Sequence, residues 1–172
     1  MAKPKTEEEG RLYEPVRDYL QKQFGAFGEC ELEVTRERIT EKVKRWLDDP
    51  SLFFIRVEKK LPDVMGHFKP DPSKQPPHGF YEGLIVTEIK SEPPKVQDIF
   101  QTKLYAEVFE APFAYLISSK GMVEEMRRFL SKRYSLLSYG AYRKVYIGKF
   151  NLIELQIREE DWYPENPFKR SS

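Results

Sequence analysis

Hydrophobic and polar positions along this chain switch between a helical and a strand period several times. Val16, Leu20 and Phe24 recur at four-residue spacing. That stripe predicts a helix over 14–24, with Pro15 in its first turn and Gly25 at its end. "CELEVTR" then alternates as a strand does, and "TEKVKRWLDDP" reads as a short helix with Thr40 as its N-cap and Pro50 behind its end. "LFFIRVEKKLPDVMGHF" reads as an extended run and "KPDPSKQPPHG" as a proline-rich loop. In "FYEGLIVTEIK", the apolar Leu84, Ile85, Val86 and Ile89 predict a buried strand. "KVQDIFQTKLYAEVFE" predicts an amphipathic helix with Val96, Ile99, Phe100, Leu104 and Val108 on or near one face. "PFAYLISS" is a further strand, "MVEEMRRFLSKRYSLLSY" a second long helix and "KVYIGKF" a late strand. This order predicts an α/β fold, a central mixed sheet flanked by helices. At 172 residues the chain is expected to form a single domain, with its core at about 14–150 and irregular tails at 1–10 and 160–172.

The strand over 83–90 ends in Glu88 and Lys90, two residues apart and therefore on the same face. Burying either charge is costly without a partner. Asp63, at the end of the preceding extended run, supplies one if the two runs are neighbouring strands. Two converging carboxylates make a hard, all-oxygen site suited to Mg²⁺ or Mn²⁺. An ammonium beside them favours their ionised forms and can orient water or stabilise charge on a phosphate. The same residues have plainer readings. Asp63 after Pro62 is a common turn pair, and Glu88 with Lys90 also suits an exposed strand end or an ion pair of little energetic value.

Pro62-Asp63 followed by Glu88-Ile89-Lys90 resembles the PD-(D/E)XK nuclease superfamily, and Gln101 and Tyr105 in "QTKLY" match the Gln-x-x-x-Tyr helix motif of one of its branches. The resemblance implies a restriction-endonuclease-like core of helix, three strands, helix and strand. It implies a metal-dependent nuclease that hydrolyses phosphodiester bonds, usually in DNA. Asp63 and Glu88 would then be metal ligands, joined by the Ile89 backbone carbonyl, and Lys90 would position or activate the attacking water. Glu14, on the first helix, matches a further metal-site carboxylate and equally suits an ordinary helix start. Gln101 and Tyr105 would support the site or contact substrate. Two decoys carry parts of the pattern: Glu58-Lys59-Lys60 precedes the Pro-Asp pair, and Pro70-Asp71 lies in the proline loop. The alternative function is a non-catalytic nucleic-acid-binding or assembly domain on the same fold.

Composition narrows the setting. A net charge of +1 excludes a strongly basic DNA-coating protein but leaves room for a local basic face. Arg127, Arg128, Lys132 and Arg133 sit along one predicted helix, where a solvated face is the default and a nucleic-acid contact the sharper reading. The single cysteine, Cys30, excludes an intramolecular disulfide and a cysteine-based zinc cage, and reads as a buried small residue. His67 and His78 flank the proline loop and are expected to be solvated. No run approaches the roughly 18 apolar residues of a membrane span. "MAKPKTEEEG" lacks the apolar stretch of a secretory signal, so a cytoplasmic protein is expected, with homodimerisation compatible with the sequence.

Overall fold

The computed structural model describes residues 6–170, so residues 1–5 and 171–172 of the two expected tails lie outside the described residues. Helices α1 (Glu7–Gly10) and α2 (Tyr13–Gly25) lead into strand β1 (Gly28–Val34). Helices α3 (Glu41–Lys44) and α4 (Asp49–Glu58) follow, then β2 (Val64–Pro70), β3 (Gly83–Lys90), α5 (Val96–Val108) and β4 (Phe113–Ser118). The chain continues through α6 (Glu124–Lys132), β5 (Ser138–Tyr139), β6 (Arg143–Lys149) and β7 (Trp162–Tyr163). The strands form one sheet in the order β1-β2-β3-β4-β6-β5, with β7 also pairing β6. β2 runs antiparallel to both its neighbours, β1 and β3, whereas β3, β4 and β6 run parallel. The fold is therefore α/β, a seven-stranded mixed sheet flanked by helices.

Alternation on the strands feeds two cores, one on each face. On one face Ile85 and Ile89 of β3 and Phe113, Tyr115 and Ile117 of β4 pack with Val16, Leu20 and Phe24 of α2. Phe24 lies 4.9–6.0 Å from the rings of Phe68, Phe80, Phe113, Tyr115 and Phe168. On the other face Leu84, Val86, Ala114 and Leu116 meet Ile99, Tyr105 and Ala106 of α5 and Met126 and Leu130 of α6.

Several expectations change, among them the second long helix, which stops at Lys132 and gives way to a 3-10 turn at Tyr134–Leu137 and to β5. The segment 52–58, expected to be extended, lies in helix α4, because Asp48 caps that helix, its carboxylate accepting from the Ser51 N–H at 2.9 Å, and Pro50 stands at its start. Pro50 thus opens α4 and does not close the helix that Thr40 caps, which stops at Lys44. α5 buries Ile99, Thr102, Tyr105 and Ala106, while Phe100 and Leu104 are 49% and 40% exposed, so its inward face is rotated from the apolar stripe. The tails are not wholly irregular: Glu7–Gly10 makes a helical turn, and Trp162, Tyr163 and Phe168 pack against the sheet.

Candidate functional site

Pro62 and Asp63 extend β2 between its two neighbours. The Thr35 hydroxyl donates to the Pro62 carbonyl at 2.8 Å, and the Thr35 N–H donates to the Asp63 carbonyl at 2.9 Å. On the other side the Asp63 N–H donates to the Thr87 carbonyl at 3.1 Å. Asp63 therefore sits in a bend directly before β2 and carries the pairing of that strand one residue further on both sides. Its carboxylate Oδ2 accepts from the Ile89 N–H at 2.7 Å. One residue thus grips Thr87 through its backbone and Ile89 through its side chain, with Glu88 held between. Asp63 and Glu88 are 1% and 4% exposed, so both carboxylates lie on a nearly closed floor.

Glu88 and Lys90 share the face of Leu84 and Val86, the face that α5 covers. Lys90 Nζ lies 3.7 Å from Asp98 Oδ1, with both side chains partly buried. The other Asp98 oxygen accepts from the Lys95 N–H at 2.8 Å and so fixes the first turn of α5. Asp98, Gln101 and Tyr105 stand at i, i+3 and i+7, on one helix face. Burial first, then the negative charges of Glu88 and Asp63, raises the Tyr105 hydroxyl well above its ordinary range. Gln101 lies between these two contacts, and its Nε2 is buried without a hydrogen-bond partner among the described residues. The structure therefore brings Asp63, Glu88, Lys90, Gln101 and Tyr105 to one place.

The third sequence-derived carboxylate is placed differently. Glu14 is on the exposed side of α2, and no described contact ties it to the pair. Tyr13, its buried neighbour, does reach the site. Burial, then the Asp63 charge, raises its hydroxyl far above the ordinary value; Arg36 opposes the shift, and Glu9 and Glu88 add to it. The Arg36 guanidinium sits 5.6 Å from the Tyr13 ring centroid. Glu9 belongs to α1, whose N-cap Thr6 shares a hydrogen bond of 3.1 Å with Ser91, the residue after β3. Glu9, Tyr13 and Arg36 carry no local sequence signal for this, since the tertiary fold alone brings them here. His67 is not solvated as expected: it stacks on Trp46 at 5.4 Å and lies 3.6 Å from Glu82, while His78 is exposed in its loop. Cys30 is half-buried, and burial followed by the Glu31 charge pushes its thiol up to about 12.

Among the described residues, no group of three or more His, Cys, Asp or Glu converges as a metal-ligand set. The donor chemistry at Asp63 and Glu88 nonetheless fits a hard cation such as Mg²⁺, which keeps several waters and takes one or two protein carboxylates beside substrate oxygens. Two clefts lie elsewhere. A small one of about 170 Å³ opens beyond the β3 end, with Pro94 in its wall. A larger one of about 650 Å³ lies at the opposite end of the parallel strands, lined by Tyr81, Pro112 and Arg143 among others.

Comparison of the chain with protein-family models, curated proteins and solved structures finds no match. No described helix is long and apolar enough to cross a membrane.

Proposed function

We propose that this protein is a metal-dependent nuclease with a restriction-endonuclease-like core, hydrolysing phosphodiester bonds in a nucleic acid, with DNA the first polymer to test. The observation that carries the reading is the buried pair Asp63 and Glu88, locked together through the Ile89 N–H, with Lys90 on the same face. A structural pair of this kind has little reason to be gathered beside an ammonium, an orphaned glutamine amide and a tyrosine, whereas a phosphoryl site uses all of them.

Asp63 and Glu88 would hold Mg²⁺ or Mn²⁺, with the Ile89 carbonyl available at the same strand end. When bound, such a cation supplies charge stabilisation at the phosphoryl oxygens and lowers the pKa of bound water. The protein's own groups do the rest. Lys90, steadied by Asp98, orients the attacking water or neutralises charge on the phosphate. Gln101 donates through its free Nε2 to a water or a phosphate oxygen. Tyr105 stays protonated and hydrogen-bonds as a neutral hydroxyl. Arg36, held over Tyr13 and only partly buried, is placed to meet the incoming polyanion.

The test is cleavage of labelled single- and double-stranded DNA, and of RNA, with Mg²⁺, Mn²⁺ or EDTA. Wild type should cut with a divalent ion and not with EDTA. Asp63→Asn should abolish cutting, and Lys90→Met should slow it by about 10²–10⁴-fold, the usual range for a positioned proton-transfer or water-orienting group. A wild-type protein that binds nucleic acid but cuts no polymer in either metal would replace this reading with a non-catalytic binding domain.

A further inference from the structure

The parallel strands β3, β4 and β6 end together, and their last residues form a row. Lys90 pairs in register with Ser118, and Ser118 with Lys149. Residues in register share a face, so Lys149 points to the same side of the sheet as Lys90. Neighbouring strands are spaced by about 4.8 Å, which puts Lys149 roughly 10 Å from Lys90. Ser118 fixes the middle of the row by donating to the Glu92 carbonyl at 2.7 Å.

The small cleft opens at this row. Its walls include Pro94 after β3, Lys120 and Gly121 after β4, Lys149 at the end of β6, and Arg127 of α6. Three cations and one carboxylate, Asp161, line it, and two of the cations are already braced. Lys120 pairs with Glu92 at 3.2 Å, and Arg127 lies 5.2 Å over the Tyr163 ring. Lys149 is exposed and has no ion-pair partner among the described residues. Size decides between ligands. At about 170 Å³ the cleft is well below the ~300–1,000 Å³ of sites that enclose a drug-sized molecule, and it suits a phosphate-sized anion. Position agrees, because open α/β sheets bind ligands outside the carboxyl ends of their parallel strands.

We propose that this cleft holds a backbone phosphate of the nucleic acid, flanking the phosphate that meets Lys90. The inference rests on the nuclease reading for the role of Lys90, but the cleft's own charge and size argue for the anion independently. Because successive phosphates lie farther apart along the backbone than the ~3.4 Å axial rise, roughly 10 Å spans about one to two nucleotides of one strand. The cleft would thus set how much polymer must extend beyond the reacting bond. Arg127 belongs to the basic helix whose other arginine, Arg128, pairs with Glu124 at 3.6 Å. The helix is therefore divided, with one arginine lining the cleft and the next engaged in a surface ion pair.

The experiment is fluorescence-anisotropy binding of labelled DNA oligonucleotides in EDTA over a salt series, so that no cleavage intervenes. Wild type is compared with Lys120→Gln/Arg127→Gln/Lys149→Gln and with Lys149→Gln alone, whose exposed position keeps folding out of the question. Arg128→Gln/Lys132→Gln is the control. Losing one phosphate contact should make the slope of log K against log salt shallower by about 0.7–0.9 and weaken binding at low salt at least tenfold in the triple variant. Lys149→Gln should move in the same direction, and the control should match wild type. Oligonucleotides too short to carry a phosphate about two nucleotides past the one at Lys90 should bind wild type and triple variant alike. An unchanged slope and affinity in a folded triple variant would sink the proposal. So would calorimetric saturation of the cleft by inorganic phosphate with no effect of the variants on DNA binding, which assigns it to the free anion. Cleavage with Mg²⁺ is read separately. A wild type that cuts, beside a triple variant with unaltered binding, removes the cleft and leaves the nuclease; weakened binding without any cutting removes the nuclease and leaves the cleft.

Discussion

Asp63 carries two duties, and its variants separate them. The carboxylate accepts the buried Ile89 N–H, and it is a negative charge beside Glu88. Asn retains an oxygen for the N–H and removes the charge; Ala removes both. Leaving a buried donor unsatisfied costs about 1–3 kcal/mol. Asp63→Ala should therefore unfold in urea at a stability about 1–3 kcal/mol below Asp63→Asn. Equal stabilities for the two would mean that the Ile89 bond contributes nothing. Cys30 gives a second expectation, with its sign fixed by linkage. Its thiol moves from an ordinary 9.0 up to about 12, so the folded state holds the proton more tightly than the unfolded chain. That stability is fully present below about pH 9 and is lost as pH rises through about 12. At pH 8 the thiol of the folded protein should react with a disulfide reagent far more slowly than in urea. Rapid labelling of the native protein at that pH would contradict the burial that holds the proton on.

At the scale of elements, two glycines with opposite surroundings make a matched pair. A Cβ at Gly66 would come within 2.0 Å of the Glu31 carbonyl oxygen and 2.8 Å of Leu32 Cα, both backbone atoms of β1. Gly66→Ala must therefore push β1 off β2, at the ~1–3 kcal/mol or more of an overpacked site. Gly25, the last residue of α2, has nothing within 4 Å of such an atom. Gly25→Ala should stabilise by about 0.4–1 kcal/mol through the unfolded chain. Thermal unfolding of both variants checks the contrast, and a neutral Gly66→Ala would show that β1 is looser than its pairing implies. Elements also mark how far the sequence could be read. β3 and β4 are continuous apolar runs because helices cover both of their faces, and nothing competes with that signal. The 52–58 segment was misread because "LFFIRV" favours a strand by composition, while the Asp48 cap and Pro50 start a helix that packs Phe54 against α5. α5 was legible as a helix but not in its rotation: the polar Thr102, together with Tyr105, turns inward, where the Thr102 hydroxyl donates to the Asp98 carbonyl and Tyr105 approaches the carboxylates. The candidate site was legible where it coincides with strand ends, at Asp63, Glu88 and Lys90. Glu9, Arg36 and Lys149 were not, because α1 docking on Ser91, the turn after β1 and the β4–β6 register bring them in from far along the chain.

For the whole molecule the question is whether two cores divided by a sheet behave as one. β3 sends Ile85 and Ile89 to the α2 side and Leu84 and Val86 to the α5 side; β4 splits Phe113, Tyr115 and Ile117 from Ala114 and Leu116 in the same way. Melting either layer strips one face of the same hydrogen-bonded strands, so neither can open far without exposing the other. The two tryptophans stand on opposite sides and can report it. Trp162 is buried in the α2-side core, 6.0 Å from Tyr115. Trp46 packs against the α5-side core and stacks on His67. In Trp46→Phe the fluorescence follows the α2 side alone, and in Trp162→Phe the α5 side alone. Within each variant, the urea midpoint by fluorescence should coincide with the midpoint by far-ultraviolet circular dichroism, as all-or-none unfolding requires. Comparing two probes inside one variant removes the stability change that the substitution itself brings. A fluorescence transition that precedes the loss of circular dichroism in one variant would locate the weaker layer. If that layer is the α5 side, Lys90, Gln101 and Tyr105 would lose their covering helix while the Asp63–Ile89 clasp of the sheet still stood.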